Sequence, residues 1–82
     1  MKYKIIIEKK AEKFILKQPK NQQERLLKAI YHLPEEGDIK SLKGSTGFFR
    51  HRVGDYRINF TVENEILTVI VTDAGNRGQI YK

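Results

Sequence analysis

Phe-Phe-Arg-His-Arg-Val-Gly-Asp-Tyr-Arg, residues 48–57, is the segment that best predicts the fold. Gly54-Asp55 is a tight-turn signal with a strand-like run on each side. Because side chains alternate along a strand, Arg50 and Arg52 share one side of the first run. The second run has an apolar set, Tyr56, Ile58, Phe60 and Val62, and a polar set, Arg57, Asn59 and Thr61. The apolar set must face a core, so the pattern predicts a hairpin that presents arginines to solvent.

The N-terminal half has the pattern of one strand followed by two helices. Tyr3 to Ile7 is rich in β-branched residues, which favours a short strand. From Lys9 the apolar period becomes helical, and Pro19 is expected to end that helix. Asn21 is the expected N-cap of a second helix, which is predicted to run to about Leu33.

The C-terminal half is predicted to continue the sheet after a loop over residues 35–47. A third strand of the meander is expected at Ile66–Asp73, joined to the hairpin by Asn64-Glu65. Ala74-Gly75-Asn76 is expected to end it, and Gln79–Tyr81 can add a terminal extended piece. The predicted class is α+β, with the order β-α-α-β-β-β(β). Two N-terminal helices would pack on one face of a twisted, mainly antiparallel sheet.

Composition limits the class of protein. With 82 residues, 39% of them hydrophobic, the chain is expected to form one globular domain over residues 1–82. It has no cysteine, which excludes disulfides and thiolate metal sites. No apolar run approaches the roughly 20 residues of a membrane-spanning helix, and no signal peptide is recognisable. We therefore expect a cytoplasmic protein with no membrane partner.

The charge is strongly basic and unevenly distributed. Sixteen Lys and Arg against ten Asp and Glu give a net charge of +6. Between residues 40 and 57, Asp55 is the one acid among five cations: Lys40, Lys43, Arg50, Arg52 and Arg57. A basic face of this kind indicates an anionic partner such as RNA or an acidic protein.

Three segments carry a family resemblance. They are Leu42-Lys43-Gly44, the run Phe-Arg-His-Arg-Val-Gly-Asp-Tyr-Arg-Ile at residues 49–58, and Gly-Asn-Arg-Gly-Gln-Ile-Tyr at residues 75–81. Together they resemble the RelE/ParE toxins of bacterial and archaeal toxin–antitoxin pairs. The resemblance covers essentially the whole chain, and it implies a RelE-like toxin domain. For the RelE branch it also implies cleavage of mRNA in the ribosomal A site.

The resemblance implies roles for individual residues. The two basic residues that the family places before the turn fall on Arg50 and Arg52, and the arginine of its Gly-x-Tyr-Arg pattern falls on Arg57. Its late arginine and tyrosine fall on Arg77 and Tyr81. Its implied partners are a cognate antitoxin, in a toxin–antitoxin hetero-oligomer, together with the ribosome and mRNA.

The residue types suit a ribonuclease that needs no cofactor and no metal, because RNA supplies its own 2′-OH nucleophile. Fixed guanidinium groups bind phosphate oxygens bidentately and stabilise developing charge. Arginine is effectively always protonated, so Arg50 and Arg52 are poor proton acceptors. Tyr81 is the candidate for proton transfer, or else a platform for an unstacked base. We predict a catalytic set of Arg52, Arg57, Arg77 and Tyr81, and an RNA-binding set of Lys43, Arg50 and Phe48.

Other interpretations remain open at this point. A ParE-like toxin would share the fold but inhibit DNA gyrase, and a catalytically inactive RNA- or ribosome-binding module would keep only the basic face. The arginines can be ordinary solvated strand residues, and Phe48 can simply cover the sheet edge. His51 alternates away from the arginines and is expected to be structural. His32 lies near the end of a helix, where it suits the helix dipole.

Overall fold

The computed structural model describes residues 3–33, 38–41 and 47–76. Within them the chain forms five strands, two α-helices and one 3₁₀ turn. In chain order these are β1 (Lys4–Ile7), α1 (Lys9–Leu16), α2 (Lys20–Tyr31), β2 (Asp38–Ser41), β3 (Phe48–Val53), β4 (Tyr56–Glu63), the 3₁₀ turn (Asn64–Ile66) and β5 (Thr68–Asn76).

The five strands form one mixed sheet in the order β1-β5-β4-β3-β2. β1 pairs with β5 in parallel, whereas the other three neighbouring pairs are antiparallel. The parallel pair forms because α1 and α2 lie between β1 and the rest of the sheet in sequence, which allows the crossover that parallel pairing needs. The predicted α+β class and the β3-β4-β5 meander are confirmed.

The core lies between the helices and one face of the sheet. The alternation predicted for β4 is confirmed, because Tyr56, Ile58 and Phe60 are buried. The helices bury a stripe consisting of Ala11, Ile15, Leu26 and Ile30. Phe60 also stacks on Phe49 of β3, with ring centroids 5.5 Å apart. Burying each large apolar side chain contributes roughly 1.5–3 kcal/mol, so this face fixes which side of every strand points outward.

The turn between β3 and β4 has the geometry that its sequence predicts. Val53 and Tyr56 are paired, so Gly54-Asp55 forms a two-residue hairpin turn. Gly54 has φ +60°, and no positive φ occurs at Asp55. A positive φ at the first central position alone is the pattern of a type II′ turn, which matches the twist of the flanking strands.

The helix boundaries differ from the prediction at both ends of the second helix. α2 begins at Lys20 and not after an Asn21 cap, because Pro19 occupies the N-cap and its carbonyl accepts from the backbone N–H of Gln22 and Gln23. It ends at Tyr31, although Leu33 is still buried. No helix among the described residues combines the length and apolarity needed to cross a membrane.

Two strand predictions were wrong. The predicted loop over 35–47 contains an edge strand, β2, which pairs antiparallel with β3. The last strand was expected at Ile66–Asp73, but β5 begins at Thr68 and continues through Asn76. Leu67 adopts a left-handed conformation at the end of the 3₁₀ turn, so the connection is longer than the predicted Asn64-Glu65 loop.

Candidate functional site

Three arginines predicted to form the site lie on the face of the sheet opposite the helices. Arg50 and Arg52 share that face of β3, and Arg57 lies on the same face of the neighbouring β4. Arg52 pairs directly with Arg57, and Arg50 pairs with Asn59. All three arginines are partly buried, so part of each side chain is covered by its neighbours on the sheet.

The edge strand β2 adds a fourth cation to this face. Lys40 pairs with Arg50 across the β2–β3 ladder and is exposed. The sequence signal was available, because Lys40 belongs to the basic stretch. Without the strand assignment, however, nothing placed Lys40 beside Arg50. We call Lys40, Arg50, Arg52 and Arg57 the cationic face.

Phe48 lies at the start of β3, two residues before Arg50 and therefore on the same face. Its side chain is 47% exposed and its register partner is Thr61. An exposed aromatic beside a basic surface is suited to stacking on a nucleobase. Lys43, Arg77 and Tyr81 lie outside the described residues, so their assignment remains a prediction.

Arg57 has the best-defined surroundings of the three arginines. Its Nη1 donates to Asp73 Oδ2 on β5 at 3.4 Å, and both side chains are about a quarter exposed or less. Its guanidinium also lies over Gly75, where an added Cβ would stand 3.0 Å from Nη2 and 3.2 Å from Cζ. Sequence reasoning missed Asp73 and Gly75 as neighbours of the site.

A β-bulge explains how Asp73 reaches this face. Asn59 pairs with Asp73, but the next residue, Phe60, pairs with Val71, so Thr72 is an extra residue in β5. The Thr72 hydroxyl donates to the Asn59 carbonyl at 3.3 Å. An extra residue reverses the alternation beyond it, so Asp73 and Gly75 lie on the arginine side while Ala74 is buried.

A shallow cavity of about 330 Å³ adjoins Arg57. Lys10 and Phe14 of α1 line it together with Asp73 and Gly75. The Lys10 ammonium is 3.9 Å from Asp73 Oδ1, but its side chain is 76% exposed. The lining therefore includes two cations, Lys10 and Arg57, and the carboxylate of Asp73.

The two histidines lie away from the cationic face. His51 points to the core side of β3 and is 5% exposed. His32 is exposed, and its Nδ1 is 2.8 Å from the Lys28 carbonyl in the last turn of α2. In the described part of the chain, no three His, Asp or Glu side chains come together as a metal site would require.

Comparison with known protein families gives a match over most of the chain. A family model described as the ParE toxin of the type II toxin–antitoxin system parDE matches residues 5–81. Among curated proteins, no sequence matches the chain significantly.

Solved structures resemble the whole chain. The archaeal RelE–RelB complex from Pyrococcus horikoshii contains a chain with 26% identity and a TM-score of 0.79; the match covers 96% of this chain and 99% of that one. The RelB–RelE antitoxin–toxin complex from Methanococcus jannaschii contains a chain with 28% identity and a TM-score of 0.75; the match covers 93% of this chain and 94% of that one. The isolated E. coli RelE toxin has 23% identity and a TM-score of 0.75; the match covers 96% of this chain and 90% of that one.

These matches confirm the resemblance noted in the sequence and extend it to the fold. The family model spans nearly the whole chain, and the solved toxins share the arrangement of two helices on one sheet face. The chain therefore belongs to the ParE toxin family of type II toxin–antitoxin systems, within the RelE/ParE superfamily.

Proposed function

We propose that this toxin is an endoribonuclease that cleaves mRNA in the ribosomal A site and thereby inhibits translation. The proposal rests on one observation, which is that Arg50, Arg52 and Arg57 share the sheet face away from the core. Arg52 is the register partner of Arg57, and Arg50 lies two residues before Arg52 on β3. Such a face suits a phosphate backbone, because guanidinium groups bind phosphate oxygens in pairs and are weakly hydrated.

The proposed reaction is an attack by the RNA 2′-oxygen on the adjacent phosphorus. The bond to the 5′-oxygen breaks as the new bond forms, leaving a 2′,3′-cyclic phosphate and a 5′-hydroxyl. One proton leaves the 2′-OH and one is delivered to the 5′-oxygen. The protein's largest contribution is to stabilise the charge that develops on the phosphate oxygens.

Roles follow from position on the sheet. Arg57 and Arg52 are adjacent and are assigned to the scissile phosphate, whereas Arg50 and Lys40 are assigned to flanking phosphates. Phe48 is assigned to stacking on an unpaired base. From the family resemblance, Arg77 is proposed to bind the scissile phosphate and Tyr81 to transfer a proton.

The proposal is tested with purified toxin and ribosomes carrying a defined message in the A site. Cleavage is mapped by primer extension and timed under single-turnover conditions. Arg57→Ala is expected to slow cleavage by roughly 10²–10³-fold, the usual loss when one preorganised donor to a developing oxyanion is removed. Arg52→Ala is expected to have a smaller effect in the same direction.

Lys28→Ala is the matched control, because it removes one positive charge from an exposed position on α2 without touching the sheet. It should cleave at the wild-type rate. If wild-type toxin leaves the message intact, or if Arg57→Ala cleaves as fast as Lys28→Ala, the proposed nuclease function is wrong.

Inhibition of DNA gyrase is the second candidate function. The match to a family model that is named for ParE favours it. A supercoiling assay with purified gyrase separates the two. Loss of supercoiling with intact message on the ribosome would favour gyrase, and cleaved message with normal supercoiling favours the nuclease. Ribosome binding with neither effect would favour an inactive RNA-binding module.

We propose a cognate antitoxin as the partner of this toxin. The antitoxin is expected to carry acidic residues on an amphipathic segment. The similar archaeal structures are complexes of RelE with RelB. Here a groove of about 250 Å³ lies on the helix side, lined by Ile7, Ile15, Leu16, Leu27, Tyr31 and Glu12. Leu16 and Tyr31 are each 63% exposed, which is unusual for large apolar side chains so close together.

The antitoxin proposal is tested by coexpression with the protein encoded beside the toxin gene. Leu16→Asp should weaken the complex and leave ribosome-dependent cleavage intact, because Leu16 is remote from the cationic face. Asn21→Asp is the matched control, because it also adds one negative charge to an exposed helix position and residue 21 does not line the groove. Equal binding by both variants would exclude the groove as the docking surface.

A further inference from the structure

We infer that Asp73 is a positioning residue that, together with Gly75, holds the guanidinium of Arg57 in a fixed orientation on the cationic face. The inference rests on the proposed nuclease function in one respect, namely that Arg57 contacts the scissile phosphate. Its geometric part concerns the free protein and stands on the observed contacts alone.

Charges on both neighbouring strands act on the side chain of Arg57. Arg52 faces it directly across the β3–β4 ladder, and like charges at that spacing repel each other. Asp73 lies on the other neighbouring strand, with Oδ2 3.4 Å from Arg57 Nη1. Repulsion from β3 and attraction from β5 both direct the side chain of Arg57 across β5.

Asp73 is itself held in place by a backbone hydrogen bond. Its Oδ1 accepts from the backbone N–H of Ala74 at 2.9 Å, so the carboxylate has one oxygen fixed and the other turned to Arg57. Lys10 adds little to this arrangement, because its ammonium is 3.9 Å away on a largely exposed side chain.

The bulge at Thr72 determines the side of the sheet on which Asp73 and Gly75 lie. In an unbroken strand, alternation from buried Val71 would point residue 73 into the core and residue 75 with it. The extra residue turns both to the arginine side. Bulges often re-aim a side chain beside a functional site, and this one places a carboxylate where a guanidinium needs an anchor.

Residue 75 has no side chain, which leaves room for the guanidinium of Arg57. Gly75 does not have a left-handed φ, so its backbone conformation is open to any residue. What a Cβ would disturb is Arg57, whose Nη2 would be 3.0 Å away. Glycine here serves the close approach of the guanidinium to the β5 backbone.

The test compares Asp73→Asn with Glu63→Gln, a matched loss of one negative charge at the exposed end of β4. Asparagine keeps an oxygen for the Ala74 N–H but turns an N–H₂ donor toward Arg57. The order of the Arg57 side chain is measured from ¹⁵N relaxation of its Nε–H group in the free toxin. Single-turnover cleavage and ribosome affinity are measured in parallel.

For Asp73→Asn, but not for Glu63→Gln, the Arg57 order parameter should fall. Cleavage should slow on the order of 10-fold, since small misplacements of a catalytic group are costly. Ribosome affinity should not change. Gly75→Ala should act in the same direction, and it should have no effect on cleavage in an Arg57→Ala background, which separates an effect through Arg57 from a loss of folding.

An unchanged Arg57 order parameter in both Asp73→Asn and Gly75→Ala would overturn the inference. Faster cleavage by Asp73→Asn would also overturn it, because Asp73 would then inhibit the reaction. If wild-type toxin does not cleave message at all, the proposed function fails, but the relaxation measurement still decides whether Asp73 holds Arg57.

Discussion

Arg52 and Arg57 face each other directly across the β3–β4 ladder, on the side of the sheet away from the helices. Directly opposed like charges destabilise an antiparallel pair, by roughly 0.2–1 kcal/mol. A sequence selected only for folding stability would have an acidic residue at one of these two positions. Keeping two arginines there is consistent with a surface shaped by an anionic ligand.

The pair should therefore show an unfavourable coupling in a double-mutant cycle of Arg52→Gln and Arg57→Gln. Each single change removes the repulsion, but the double change can remove it only once. The double variant should be less stable than the sum of the single effects predicts, by about 0.2–1 kcal/mol. Urea denaturation of the four proteins measures this.

Salt supplies the control for the cycle. Raising the ionic strength from about 0.05 to 1 M shortens the screening length to roughly 3 Å, so the coupling should shrink toward zero. A coupling of the opposite sign, or one that salt leaves unchanged, would show that the two guanidinium groups do not repel each other in the folded protein.

His51 should contribute to stability and not to cleavage. It is 5% exposed on the core side of β3, between the register partners Ile39 and Ile58. His51→Ala should lower the free energy of unfolding by about 1–3 kcal/mol, as expected when a buried side chain is truncated. The message should still be cut at the same positions at a temperature where the variant is folded. Cleavage lost without a loss of stability would instead give His51 a chemical role.

Much of the fold was predictable because burial imposes strong periodicity. β4 alternates between buried and partly buried residues along most of its length, and its pattern alone fixed which side carries Arg57. The same alternation placed Arg50 and Arg52 opposite His51. The side of the sheet that carries the three arginines was therefore predictable from the sequence, because the residues that alternate with them had to enter the core.

The missed strand, β2, lacks that signal. Asp38–Ser41 has a single apolar residue, Ile39, and its stability in the sheet comes from backbone pairing with β3. Backbone hydrogen bonds are available to any sequence, so composition does not reveal them. Lys40 was consequently recognised as basic but not as a neighbour of Arg50.

The environment of Arg57 was missed for a different reason. Gly75 was interpreted as a strand breaker, whereas it is the position at which Arg57 approaches the β5 backbone. The bulge at Thr72 depends on the pairing between β4 and β5, which a single strand does not encode. Simple alternation from Val71 would have pointed Asp73 into the core.

Leu67 should be replaceable by asparagine with a gain in stability. It adopts φ 48° and ψ 52°, a left-handed conformation that costs a leucine roughly 1–2 kcal/mol. Asparagine tolerates this conformation better. Leu67 is 37% exposed, so the loss of its partial burial offsets some of the relieved strain. Leu67→Asn should raise the free energy of unfolding by about 0.5–1 kcal/mol in urea denaturation, within the strain available.

Ile66→Asn is the matched control for this substitution, because residue 66 is 67% exposed and has no positive φ. The control variant should show no gain in the free energy of unfolding. If Leu67→Asn is less stable than wild type, contacts of the leucine side chain outweigh the backbone strain.

Gly54→Ala should destabilise the β3–β4 hairpin through its backbone. Gly54 has φ +60° at the first central position of the turn, a conformation that alanine adopts at a cost of about 1–3 kcal/mol. The Arg25 guanidinium of α2 also lies close by, because a Cβ at residue 54 would stand 2.5 Å from its Nη2. That atom is the end of a flexible, exposed side chain, so it can move aside at little cost. Urea denaturation should therefore give the same loss for Gly54→Ala in the wild-type and the Arg25→Ala backgrounds. Recovery of stability in the double variant would show that the crowding by Arg25, and not the backbone conformation, is what demands glycine at this turn.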